Sequence, residues 1–133
     1  MKVIIRDKNG VEEILYESEI YEKLFTNLES IILDKGIKSV IINYTYHSET
    51  IKFSDIKEIK FEWDNTEWYE FKNIIFVKRN GRWYSRNWLK EMAGINQFPR
   101  EIGITMSKII GCNFYYKEKH KKLTLLYEAK VLP

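Results

Sequence analysis

Cysteine is almost absent from this chain. Cys112 stands alone among 133 residues, so no disulfide closes within it, and such usage fits a reducing compartment. Proline and alanine are scarce as well, with two of each. No apolar run approaches the roughly 20 residues that would span a bilayer. The opening MKVIIRDKNG turns polar too early for a signal peptide. These absences lead to the expectation of a cytoplasmic protein with no membrane contact. Catalytic signatures are missing too: there is no phosphate-cradling glycine loop, no pair of cysteines and no nucleophile-elbow serine. The two histidines, His47 and His120, fall in expected turns, where solvation is the ordinary state. A non-catalytic protein without cofactor or metal is the expectation that follows.

What remains suits one globular domain over 1–133: 44% hydrophobic, 31% charged and a net charge of +3. Lys8-Asn9-Gly10 predicts a hairpin between 2–7 and 11–17. Ser18 could cap a helix, and Ile20, Leu24, Leu28, Ile31 and Ile32 recur at helical spacing, with Gly36 as its stop. Alternation in 51–63 predicts strands with one buried face, and Asn80-Gly81 predicts another tight turn. Asn87–Ala93 and Arg100–Ile110 read as short helices, and the lysine-rich 117–122 as a hairpin tip. Ile74–Val77 and Leu123–Leu126 are apolar at both parities, which implies cover on both faces. The fold class expected is α+β: a single domain, mainly antiparallel, with a long helix (about 18–35) on one face of the sheet and one or two short helices within about 87–110. Leu24, Leu28, Ile31, Ile41, Ile59, Phe61, Phe76 and Trp83 are its expected inner residues.

Charge is unevenly spread. Asp55 to Glu70 carries six acids against two lysines, whereas Lys72 to Lys90 carries six basic residues and no acid. In the second stretch Lys78, Arg79, Arg82 and Arg86 are interleaved with Tyr84 and Trp88. A two-residue turn would set Arg79 opposite Arg82 and Val77 opposite Tyr84. Arginine forks grip phosphate and rings stack on bases, so these six residues are the expected ligand-binding group. The ligand would be a nucleotide-sized molecule or a nucleic-acid strand.

Two other readings stand beside it. Aromatic residues make up 15% of the chain, and Trp, Tyr and Arg dominate interaction hot spots; a homodimer, or an inhibitor docking on a partner protein, would use such a surface. Asp55, Glu58 and Lys60 resemble the acid and Glu-x-Lys arrangement of metal-dependent nucleases, with the first acid closer in sequence than that family has it. The resemblance implies two carboxylates on Mg²⁺ and a lysine polarising water. The bias toward Ile, Lys and Tyr points to an AT-rich genome. In size and lack of catalytic motifs the chain is similar, as a class, to phage-encoded inhibitors of bacterial immunity, which block a nuclease or sequester a nucleotide signal.

Overall fold

In the computed structural model, residues 2–17, 28–65, 70–80, 83–91, 100–117 and 121–130 are described; for 63–65, 70–73 and 83–91 the description is of the backbone. The first sheet holds β1 (Lys2–Arg6), β2 (Glu12–Glu17), β3 (Leu28–Asp34), β4 (Ser39–Tyr44) and β5 (Ser48–Lys52) in the order β2-β1-β3-β4-β5. A 3-10 turn, Phe53–Asp55, leads into the second. There β6 (Ile56–Asn65), β7 (Glu70–Lys78), β8 (Trp83–Glu91), β9 (Asn113–Lys117) and β10 (Thr124–Tyr127) lie in the order β10-β9-β6-β7-β8. The helix α1 (Arg100–Ile110) precedes β9.

Both sheets share one plan. A two-stranded hairpin abuts a three-stranded meander, and the first strand of one runs parallel to the first strand of the other: β1 with β3, β9 with β6. Every other pairing is antiparallel. Along the chain the hairpin precedes the meander in the first sheet and follows it in the second. A single core joins them: Val3, Leu33, Val40 and Ile42 from one sheet meet Ile59, Phe61, Ile74 and Phe76 from the other, with Met106 of α1 and Phe114 of β9.

The protein is therefore mostly β, in two mixed sheets, and the long helix of 18–35 is overturned. Residues 18–27 lie outside the described ones, and Leu28–Asp34 is a strand. Ile31 to Asp34 are buried at both parities, in the central strand of the first sheet. A strand covered on both faces is apolar at consecutive positions, so its residues also satisfy helical spacing; periodicity does not separate the two. Gly36 stops no helix. Its N–H donates to Asp34 Oδ1 at 2.9 Å within the β3–β4 turn.

The short helix of 87–93 is replaced by β8, which continues to Glu91; Trp and Tyr favour strands, and the edge of β7 offers them a ladder. Residues 92–99 lie outside the description. Of the expected inner residues, Leu28, Ile31, Ile59, Phe61 and Phe76 are buried; Ile41 is only half-buried, since Val40 and Ile42 take the inward parity of β4. Leu24 lies outside the described residues, and so does the side chain of Trp83. Ile74–Val77 is buried throughout, as its pattern implies, but Leu123 and Leu125 are exposed. The Lys8–Gly10 turn forms between β1 and β2, with Gly10 at φ 82°. Among the described residues no helix is long and apolar enough to cross a membrane.

Candidate functional site: a lysine-walled cleft where the two sheets join

The chain passes from one sheet to the other at Lys52–Asp55, and an open cleft of about 810 Å³ lies beside this junction. Three segments wall it: Lys35, Ile37 and Lys38 of the β3–β4 turn; Lys52, Phe53 and Ser54; and Lys108, Ile109 and Ile110 of the last turn of α1. Its floor is apolar and its rim has four lysines. Among the described residues no acidic one lines it. Lys35, Lys38 and Lys52 form no ion pair among the described residues, and Lys108 lies over the Tyr127 ring, 5.8 Å from its centroid. Like charges held together repel, and an anion in the cleft would relieve that repulsion. The C-terminus of α1 opposes the anion with roughly half a negative charge, which four ammonium groups outweigh.

The walls are fixed by hydrogen bonds that the sequence supplies locally. The Phe53 N–H donates to Lys38 O at 2.9 Å, and the Lys35 N–H to Arg6 O at 2.8 Å. Asp34 organises the turn. Its Oδ1 accepts N–H groups from Gly36 and Ile37 (2.9 and 3.2 Å), and its Oδ2 accepts from Arg6 Nη1 at 3.2 Å. Burial pushes the Asp34 carboxyl up, but those N–H groups and the guanidinium win, and its pKa is held below the ordinary carboxylate value. The sign follows: the stabilisation is present above the unfolded-state pKa and lost as pH falls through the lower folded one. Asp34→Asn is therefore expected to melt a few degrees lower at pH 7. The gap should begin to close as pH falls below the ordinary carboxylate value, about 3.9, and go on closing toward the lower folded one; a gap constant with pH in thermal melts would refute this role.

Lys38 adjoins the Asp34-held turn and is the only non-glycine residue with positive φ, 51°, among those described. Left-handed backbone costs an L residue roughly 1–2 kcal/mol. Glycine would avoid the strain, and lysine here carries it while placing a cation on the rim.

The residues expected from sequence fall partly within reach of this cleft. Arg79, exposed just past β7, donates from Nε to the carbonyl of Ser54, a cleft residue, and its own N–H donates to Asp55 O at 2.9 Å. Lys78 ends β7, half-buried and in register with Ile56. Arg82 lies outside the described residues, as do the side chains of Tyr84, Arg86 and Trp88. The backbone sets Arg86 opposite Ile75 and Trp88 opposite Asn73. It also corrects the hairpin register: Val77 faces Trp83 instead of Tyr84, because a bulge shifts the ladder between Phe76 and Val77. The acidic strand β6 and the basic strand β8 are separated by β7, roughly 10 Å apart, so they are not ladder neighbours.

The other candidates resolve simply. Glu58 and Lys60 sit together on β6 as a half-buried ion pair at 3.6 Å, which engages the ammonium that a nuclease would turn on water. Asp55 is exposed in the 3-10 turn. Among the described residues no three His, Cys, Asp or Glu side chains are grouped to hold a metal. His47 is exposed and stacks on Tyr44 at 4.5 Å; His120 lies outside the described residues. Cys112 is buried, and desolvation pushes its thiol up to about 12, which makes it a poor nucleophile. Sequence reasoning missed Lys35, Lys38, Lys52 and Lys108, because the fold alone gathers them. No protein-family model, curated protein or solved structure matches the chain.

Proposed function

We propose that this protein is a non-catalytic binding protein that captures a phosphate-bearing ligand of nucleotide size in the lysine-walled cleft. One observation carries the reading: among the described residues four lysines and no acid surround an apolar floor in about 810 Å³, within the roughly 300–1,000 Å³ usual for small-molecule sites. The lysines would hold phosphate as point charges. Phe53, half-buried in the floor, offers a face to a planar base. Arg79, bonded to the carbonyl of Ser54, would add a fifth cation beside the rim.

Titration with AMP, ATP, cyclic AMP and inorganic phosphate tests it. Nucleotides should raise the melting temperature at micromolar concentration, and inorganic phosphate, which leaves the apolar floor uncovered, should do so only at far higher concentration. No shift with any nucleotide sinks the proposal. Cytoplasmic residence and pairing with a second copy belong to the same reading. The surface a second copy would cover is the edge strand β2 and the turn before it, where Ile14 and Val11 are exposed. Light scattering should then return the mass of two chains, and a monomer at high micromolar concentration excludes the pairing.

A further inference from the structure

Resting on that reading and extending it, we propose that the full ligand is a single-stranded nucleic acid laid along α1, from the lysine-walled cleft to a second basic pocket at the opposite end of the helix. That pocket, of about 210 Å³, is lined by Arg100, Tyr116, Lys121, Lys122, Thr124 and Leu126. It too has cationic side chains and, among the described residues, no acidic one. Its guanidinium is set in place by an aromatic partner: Arg100 lies over the buried Tyr116 ring, 5.2 Å from the centroid.

The two sites are joined by one surface. Arg100 opens α1 and Lys108 stands in its last turn, both exposed. Eight residues separate them, about 12 Å along the axis. Strand β10 packs beside α1 and supplies Thr124 and Leu126 to the second pocket; its last residue, Tyr127, lies under Lys108. Cations thus follow one another from Arg100, on the buried Tyr116, to Lys108, on the half-buried Tyr127, and to Lys38 of the cleft; Glu101 in the first turn and Glu128 after β10 are exposed acids near this course. A single nucleotide fills one end and leaves the other empty. A strand tracks both, since single-strand sites combine a basic groove with stacking platforms over roughly 4–16 nucleotides. A duplex is too wide and stiff to bend into an open cleft of this size, so a single strand is the class that fits.

The experiment is fluorescence anisotropy on the full chain with thymidine monophosphate, oligothymidylates of increasing length and a blunt DNA duplex, repeated for Lys121→Glu/Lys122→Glu. Affinity should rise at least tenfold from mononucleotide to the longer oligonucleotides. The salt dependence should steepen by about 0.7 in log–log slope for each further phosphate engaged. The double charge reversal should remove the gain while leaving mononucleotide affinity unchanged. Oligonucleotides no tighter than the mononucleotide, a gain that survives the reversal, or a duplex bound as tightly as a strand would each overturn the extended site and leave the cleft reading intact. Binding of neither mononucleotide nor oligonucleotide removes both.

Discussion

The double variant Lys38→Gly/Lys52→Gln is expected to bind nucleotide about 100-fold more weakly than the parent while melting no lower. Each lysine removed takes one charge-assisted contact from the phosphate, which at roughly 1.4 kcal/mol is a factor of ten. Stability should move the other way for two separate reasons. Two of four crowded cations are gone, which lessens their mutual repulsion. Glycine at Lys38 also accepts the 51° φ without the roughly 1–2 kcal/mol penalty of a left-handed L residue, a gain only partly offset by about 0.5–1 kcal/mol of extra backbone entropy in the unfolded chain. The opposite signs are the point of the test. A residue kept for the fold loses stability when replaced, whereas one kept for a ligand at some expense to the fold loses binding and gains stability. Isothermal titration and a thermal melt on the same sample read both quantities. Unchanged affinity would remove the cleft from the function, and a lower melting temperature would recast Lys38 as a structural residue.

How far such a site is legible in a sequence depends on how local its causes are. The β1–β2 hairpin was legible because Asn9-Gly10 is a turn signal of adjacent residues, and α1 because Pro99 and Gly111 bracket it. The β3 strand was not, since Leu28, Ile31 and Ile32 fit a helix until β1 and β4 are known to flank them; the neighbours that decide the matter lie 16 and 28 residues away in the register pairs Leu28↔Tyr44 and Ile5↔Leu33. The cleft was less legible still. Lys35, Lys38, Lys52 and Lys108 come from three segments that meet only because the β3–β4 turn, the inter-sheet junction and the end of α1 converge. A search for local charge density finds the 72–90 run instead. Of that run Arg79 touches a cleft residue, through the carbonyl of Ser54, without itself lining the cleft. The expectation of an anion-binding protein thus carries over as a proposal, while the site proposed for it moves from the hairpin to the cleft beside it.

Gly103→Ala is expected to destabilise the protein by about 1–2 kcal/mol or more, although alanine is the better helix former. In an exposed helix interior the exchange would gain roughly 1 kcal/mol. Gly103 is buried in α1, however, and a Cβ there would run into the Phe114 ring at closer than any real contact distance. The ring has nowhere to go: it is fully buried, edge-on to Phe61 at 4.8 Å and to Tyr116 at 6.4 Å. Overpacking a closed site costs typically about 1–3 kcal/mol, and a clash with an immobile ring belongs at or above the top of that range, so the steric term exceeds the propensity gain. Phe114→Leu alone should also destabilise, by opening space beside Phe61. Combined, the two changes should cost clearly less than their sum, because the added methyl fills part of the space that the smaller side chain vacates. Urea unfolding of the four proteins in this cycle measures the coupling. Additive losses would mean that the helix is not seated on Phe114. The same contact sets where α1 lies, and α1 carries Lys108 to the cleft and Arg100 to the second pocket. Gly103→Ala should therefore also weaken nucleotide binding, without altering any residue that lines either site.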